Sequence, residues 1–309
     1  MSHATLPQVP NLYSSLNYKD IVVSHVPHDA SAVSKVIVVT LNRPERHNAV
    51  NGNILEELVS VFNIIDGDDR VRAVVLTGAG KSFCAGMDLS EGPGGLMKIK
   101  QNPDAMNQWK DPGGRVALAI SECSKPTIVA VNGGAAGFGV TSILSAAIRV
   151  AWQDAKINMP FARRGLTMES VSAFYLPKLI GLSKANHIVT TGSTYTASDP
   201  LVSGLFSKLL PSPEETVRCA IELATDVAEN TSIISTKLMR DMMLYCPDTP
   251  EETHDLDSKV FITSFGSKDN VEGLTSFMEK RQAEFSGEFD RRAFSFYPWW
   301  KTETFRPKI

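Results

Sequence analysis

Hydrophobic positions along the chain fall into two rhythms. Short runs rich in β-branched residues, at 21–26, 35–41, 71–77 and 127–131, are bounded by polar or turn-forming residues and predict strands. Between them, residues 51–66 repeat at helical spacing, with Leu55, Leu58, Val59 and Phe62 on one side. The stretch 140–150, rich in Ala, Leu and Ile, reads as a buried helix, and residues 152–159 as a short strand ending at Pro160. Helices are expected at 116–123, 169–179, 183–191, 214–229 and 232–244, with two more within 251–284. The strand–strand–helix–strand opening defines the class as α/β. Residues 91–114 break the pattern with Gly, Pro, Lys, Asn and Asp among scattered Met and Trp109. So long a stretch without periodicity is expected to be a mobile lid, a partly disordered segment or a solvated loop. The pattern divides the chain into an arm (1–17), an α/β core (18–210), a helical region (211–292) and a tail (293–309).

Two predicted strands run into turns of small residues. The first turn is Ser82-Phe83-Cys84-Ala85-Gly86-Met87-Asp88-Leu89 and the second is Val131-Asn132-Gly133-Gly134-Ala135-Ala136-Gly137-Phe138-Gly139. Small residues let a chain turn sharply and bring main-chain N–H groups close to a ligand. Two such donors, converging, are what an oxyanion hole needs. Ordinary glycine turns of an α/β fold are the competing reading. A dinucleotide fingerprint also follows a strand and opens a helix, but Gly137-x-Gly139 is followed by Ser142 where the third glycine belongs. That reading fails on spacing.

Composition narrows the field. A chain of 309 residues, 43% hydrophobic, can bury a sizeable core. Its formal charge of −3, without a basic block, offers no nucleic-acid footprint. No apolar run reaches transmembrane length, so membrane insertion is not expected, and residues 1–10 lack the pattern of a secretory signal. Cys84, Cys123, Cys219 and Cys246 have no CxxC spacing and read as free, mostly buried thiols. Cys84 sits beside the first turn, where it is either a small packing residue or a nucleophile. The six histidines are scattered without ligand spacing, so no metal site is expected.

Four segments in order now identify a resemblance: Leu41-Asn42-Arg43-Pro44-Glu45-Arg46-His47-Asn48-Ala49-Val50; Phe83-Cys84-Ala85-Gly86-Met87-Asp88-Leu89; Lys125-Pro126-Thr127-Ile128-Val129-Ala130-Val131-Asn132-Gly133; and Met159-Pro160-Phe161-Ala162-Arg163-Arg164-Gly165-Leu166. Together they resemble the crotonase (enoyl-CoA hydratase/isomerase) superfamily. The resemblance implies a crotonase (ClpP-like) fold, a ββα spiral with C-terminal helices that cover the site and build a homotrimer or a hexamer. It implies an acyl-CoA thioester as substrate, with coenzyme A as part of it and no separate cofactor. It also makes the N–H groups of Met87 and Phe138 the oxyanion-hole donors. Removing one such donor typically costs about 3 kcal/mol of transition-state stabilisation.

By the same resemblance, Arg46, His47, Ala49, Ala85, Gly86, Met87, Asp88, Leu89, Gly137 and Phe138 bind the acyl-CoA, with Arg46 and His47 where the family holds the adenine and phosphates of CoA. Arg46 and His47 read equally well as solvated surface residues. Asp88 is expected to fix its turn by hydrogen bonds. Leu96, Met97, Met106 and Trp109 fall in the region that borders the acyl pocket in the family. Arg163 and Arg164 are read as forming ion pairs across a subunit contact or holding their loop, with no catalytic role.

Hydratases of this superfamily carry one glutamate on the helix after the second turn and another just after the Pro160 position. Here those positions hold Thr141 and Phe161. A carboxylate stands further on, at Glu169, where peroxisomal-type Δ3,Δ2-enoyl-CoA isomerases carry their single catalytic glutamate. Adding water is helped by two groups, whereas moving a double bond needs one base that returns its proton. Glu169 in an apolar pocket would have a raised pKa and could be both base and acid. A helix first-turn glutamate is the alternative role. The expected function is therefore enoyl-CoA isomerisation, with hydration or dehydration as an alternative and a non-catalytic acyl-CoA-binding protein as another. The end of the chain, Pro307-Lys308-Ile309, is similar to a peroxisomal address of the Ser-Lys-Leu class, although Pro307 departs from it. Peroxisome is the expected compartment, with cytoplasm as the alternative.

Overall fold

The computed structural model describes residues 9–88, 90, 94–289 and 291–301. The chain opens with the antiparallel pair β1 (Ile21–Val26) and β2 (Val36–Leu41), followed by α1 (Gly52–Asp66), whose N-cap Asn51 accepts the Ile54 N–H. A repeated unit then begins. β3 (Ala73–Gly78) turns into β4 (Ser82–Cys84) and leads through α2 (Gly94–Lys100) and α3 (Pro103–Gln108) to α4 (Pro112–Glu122). β5 (Thr127–Val131) turns into β6 (Gly134–Ala136) and the single turn α5 (Phe138–Thr141). β7 (Ile148–Trp152) turns into β8 (Lys156–Asn158) and α6 (Ser172–Thr191). β9 (Thr194–Thr196) and β10 (Lys208–Leu210) complete two sheets, ordered β1-β2-β3-β5-β7-β10 and β4-β6-β8-β9. The first strand of each unit therefore lies in the large sheet and the second in the small one, which is the expected ββα spiral. It is a repeat of backbone path, carried by different residues each time.

β2, β3, β5, β7 and β10 pair in parallel, so their strands are covered on both faces and need unbroken apolar runs. Ile37, Val39, Val74, Leu76, Val129 and Val131 face the main core with α1 and α4. The alternate residues Val36, Val38, Val75, Ile128 and Val150 face α7 (Pro213–Asn230), whose Ala220, Ala224 and Ala228 form a stripe of small side chains. α7 thus packs against the sheet, although it lies beyond residue 210. α8 (Ile233–Leu244), α9 (Pro250–Ser264) and α10 (Lys268–Glu279) follow, and Leu238, Leu256, Val260, Phe294 and Trp299 form a separate core. Phe261, Ile262, Phe265 and Phe277 leave α9, α10 and their link with exposed apolar side chains. Among the described residues no helix is long and apolar enough to cross a membrane.

The corners between the sheets are stapled by two asparagines. Asn132 accepts the Gly78 N–H at 3.3 Å and donates to the Gly78 carbonyl at 2.7 Å. Fully buried Asn48 donates to the carbonyls of Ala79 (2.9 Å), Ser82 (2.8 Å) and Phe83 (3.2 Å). An unpaired buried polar group costs about 1–3 kcal/mol. Asn48→Ala, which orphans carbonyls around the first turn, is expected to destabilise the protein by about 2–3 kcal/mol. A urea titration reads this as a lower midpoint; an unchanged midpoint would show that the staple carries no stability.

Four expectations change. Residues 140–150 are not one helix: α5 ends at Thr141, Ser142–Ser145 is a 3-10 turn, and Ile148–Trp152 is the strand β7. The strand expected over 152–159 is the end of β7, a turn and β8. The described part of 91–114 contains three helices or helix starts, at α2, α3 and α4, rather than irregular loop. The helix expected from residue 169 begins at Ser172, and Gly181 (φ 77°, ψ 156°) separates it from the next, as the two predicted helices require. Leu89 and Pro307-Lys308-Ile309 lie outside the described residues.

Candidate active site

β4 and β6 are parallel neighbours, with Ser82 opposite Gly134 and Cys84 opposite Ala135. Their C-terminal turns therefore emerge side by side. Gly86 (φ +92°) and Gly137 (φ +50°) take backbone conformations that side chains disfavour. Space enforces the choice at Gly86, where a Cβ would stand 2.9 Å from the Ala136 carbonyl oxygen. The first turn is pinned by the segment before α1: Ala85 N–H donates to the His47 carbonyl (3.0 Å), Val50 N–H to that of Gly86 (2.8 Å), and Asp88 N–H to that of Val50 (2.8 Å). In the second turn Gly137 N–H donates to the Asn158 carbonyl (2.9 Å), while Val140 and Thr141 N–H groups donate to that of Gly137. Among the described residues, the N–H groups of Met87 and Phe138 are left without an acceptor. These are the two donors that the resemblance assigns to an oxyanion.

Glu169 lies in the irregular loop before α6, three residues short of the helix, which removes the first-turn role. Its carboxylate accepts hydrogen bonds from the Thr141 hydroxyl on α5 and from the adjacent Ser170 hydroxyl. Its main-chain carbonyl accepts from the N–H (3.1 Å) and hydroxyl (2.5 Å) of Ser172. Ser170 and Val171 both have φ 57°, a left-handed conformation that costs about 1–2 kcal/mol per residue with a side chain. Strain of this kind gathers at functional sites. Burial pushes the Glu169 pKa up and the Asp111 charge adds to this, against the opposing pull of the two hydroxyls. Thr141, which the resemblance sets at a position where a hydratase holds a glutamate, donates its hydroxyl to Glu169. Phe161, at the other such position, directs its ring at the second turn, with Cζ 3.8 Å from where a Gly137 Cβ would be.

The remaining expected residues are arranged around this centre. Asp88 accepts from Ser90 (N–H 3.1 Å, hydroxyl 2.6 Å) and pairs with Arg43 at 3.1 Å, and these contacts, Ser90 foremost, hold its pKa below the usual carboxylate range. Arg43 also donates to the Ala49 carbonyl at 2.5 Å. Arg46 and His47 are exposed at the rim, and the His47 ring meets the Ser82 hydroxyl at 3.1 Å. Cys84 is fully buried, and burial pushes its thiol up to about 12 with a further contribution from Glu169, so it is a protonated packing residue. Arg163 ties its loop to the end of α6 through the Thr191 carbonyl (2.7 Å) and the Ser193 hydroxyl (2.9 Å). Leu96, Met97, Met106 and Trp109 are all exposed.

Two residues at this site were not singled out from the sequence. Ser170 carried no local signal. Asp111 did: Asp-Pro immediately before an apolar-periodic run is an N-cap followed by proline at the first helical position, and it marks the start of α4.

A sequence profile described as Enoyl-CoA hydratase/isomerase matches residues 31–288. The enoyl-CoA hydratase AFT3-1 of Alternaria alternata is 40% identical over 257 residues, spanning 83% of this chain and 85% of the relative. The mitochondrial Delta(3,5)-Delta(2,4)-dienoyl-CoA isomerase of Rattus norvegicus is 31% identical over 284 residues, 90% of this chain and 85% of that one. Among solved structures, an enoyl-CoA hydratase from Bacillus anthracis superposes with a TM-score of 0.75 at 27% identity, covering 87% of this chain and 100% of that one. The chain belongs to the enoyl-CoA hydratase/isomerase family. It is an enzyme with the crotonase fold.

Proposed function

We propose that the enzyme moves a double bond in an enoyl-CoA from C3 to C2. The observation that carries this reading is that the Glu169 carboxylate is held by two hydroxyls, with Thr141 and Phe161 at the positions where a hydratase has its acids. The thioester oxygen takes the N–H groups of Met87 and Phe138. Glu169, ionised, removes a proton from C2; the C–H electrons form the C1=C2 double bond of a dienolate as the C1–O π electrons move onto the thioester oxygen. The same carboxyl then gives its proton to C4, the C1–O double bond re-forms, and the remaining double bond lies between C2 and C3. No atom is gained or lost. The burial that raises the Glu169 pKa suits a group that must both take and return a proton near neutral pH.

A second reading, hydration or dehydration, is favoured by the likeness to the Alternaria enoyl-CoA hydratase. It requires Glu169 alone to orient water and to exchange the α-proton. The two readings separate in labelled water. Incubation of a 3-enoyl-CoA in D2O is expected to yield the 2-enoyl-CoA, with deuterium to the extent that the Glu169 proton exchanges with solvent between the two transfers, and in H2-18O to yield product without label. Label at the β-carbon would establish hydration, and a substrate recovered with neither label and no shifted double bond would overturn the enolate chemistry for these substrates.

A further inference from the structure

We propose that Asp111 is a positioning residue for Glu169, locking the loop that carries it to the start of α4. This rests on the reading of Glu169 as the proton shuttle. The geometry is specific. One Asp111 oxygen accepts the Gly113 N–H at 3.0 Å; the other accepts the Gly114 N–H at 2.8 Å and the Ser170 N–H at 2.7 Å. A single side chain therefore caps a helix and holds a segment 59 residues away. Ser170, so fixed, turns its hydroxyl onto the Glu169 carboxylate, and Thr141 supplies the second hydroxyl from α5. Gly113 permits the approach, because a Cβ there would overlap the Glu169 carboxylate and the Ser170 hydroxyl. With Ser170 and Val171 both at φ 57°, the loop occupies a conformation its residues disfavour. The Asp111 contact is an external hold on it.

Position also sets charge. Asp111 is the negative group that faces Glu169 from α4. Thr141 faces it from α5, Cys84 from β4 as a protonated thiol, and Ser170 from its own loop. Among the described residues no cation contributes to the Glu169 shift. Asp111 consequently holds the carboxylate in place while favouring its protonated form.

The test pairs two substitutions with a readout that does not depend on turnover. Full-length protein labelled with 13C at the glutamate carboxyl carbon is titrated by NMR, with the Glu169 signal assigned by its loss in Glu169→Gln. Asp111→Asn removes the charge and, with its one acceptor oxygen turned to the Gly114 and Ser170 N–H groups, keeps the anchor while giving up the Gly113 contact. Its Glu169 midpoint is expected to fall, and the acid limb of kcat for the enoyl-CoA to move with it while KM holds. Asp111→Ala loses the anchor too, and its kcat is expected to drop about tenfold or more through misplacement, with recovery in Asp111→Asn. An unmoved midpoint in Asp111→Asn, together with parental kcat in Asp111→Ala, would overturn the role. A shifted midpoint in a protein whose Glu169→Gln variant keeps full turnover would instead retain the positioning and remove the proton-shuttle reading.

Discussion

Glu169→Gln is expected to lower kcat for enoyl-CoA isomerisation about 10³-fold or more while leaving acyl-CoA binding intact. General acid–base catalysis typically contributes about 10²–10⁴-fold, and in the proposed cycle one carboxyl performs both transfers. Glutamine fills the same space and still accepts a hydrogen bond from Thr141 or Ser170, so the site keeps its shape and loses its proton carrier. The pH dependence has a definite sign. The base must be ionised, and burial with the Asp111 charge raises its pKa, so activity should fall on the acid side at a pH above the ordinary carboxylate value near 4.3. Stability should behave in the opposite way. A carboxyl whose folded pKa lies above its unfolded one is fully tolerated below the unfolded value and weakens folding as pH rises through the folded value. Glu169→Gln removes that penalty and is expected to be at least as stable as the parent at neutral pH. Stopped turnover with a retained melting temperature and retained CoA affinity, measured by calorimetry, supports the chemical role. Parental turnover would exclude it, and a collapsed melting temperature would assign Glu169 to the scaffold.

The parts of this architecture that were legible in the chain are those where one rhythm admits one answer. The β-branched runs of β1, β2, β3 and β5 and the faces of α1, α7 and α8 obey their periods over enough residues to exclude alternatives. Ile148-Arg149-Val150-Ala151-Trp152 does not, because a strand buried on both faces has the same apolar look as a buried helix segment. What makes it β7 is pairing with β5 and β10, which are distant in sequence. Residues 94–108 form helices too short to display a hydrophobic face, although Asn102-Pro103 and Asp111-Pro112 announce helix starts. At the site, the glycines of both turns and Glu169 could be read from local sequence and family likeness. The support for Glu169 could not, because Asp111, Thr141 and Ser170 meet only when α4, α5 and the loop before α6 converge.

That convergence depends on how closely α5 lies on β4, which makes Gly139→Ala the other substitution with a large expected effect. A Cβ at residue 139 would overlap the Cys84 carbonyl oxygen and stand 2.8 Å from the Cys84 Cβ. The first obstacle is main chain at the end of a paired strand, so no side-chain rotation relieves it. Cys84 is fully buried and leads directly into Ala85, Gly86 and Met87. α5 must therefore move away from β4, carrying with it the Phe138 N–H at its start and the Thr141 hydroxyl at its end. Overpacking a core typically costs about 1–3 kcal/mol, and a clash with backbone belongs at the upper end, about 3 kcal/mol. For a chain of 309 residues that is a fall in melting temperature of roughly 5 °C. Turnover should fall further than stability suggests, by about 10²-fold or more, because displacing one oxyanion donor alone costs that much. Gly134→Ala is the matched control: it lies on the same strand–turn segment, and its added Cβ meets only the Lys156 carbonyl oxygen at an ordinary 3.8 Å. A thermal melt and a kcat measurement on both variants decide the matter. Equal behaviour of the two would mean that the contact between α5 and β4 neither stabilises the fold nor sets the oxyanion geometry.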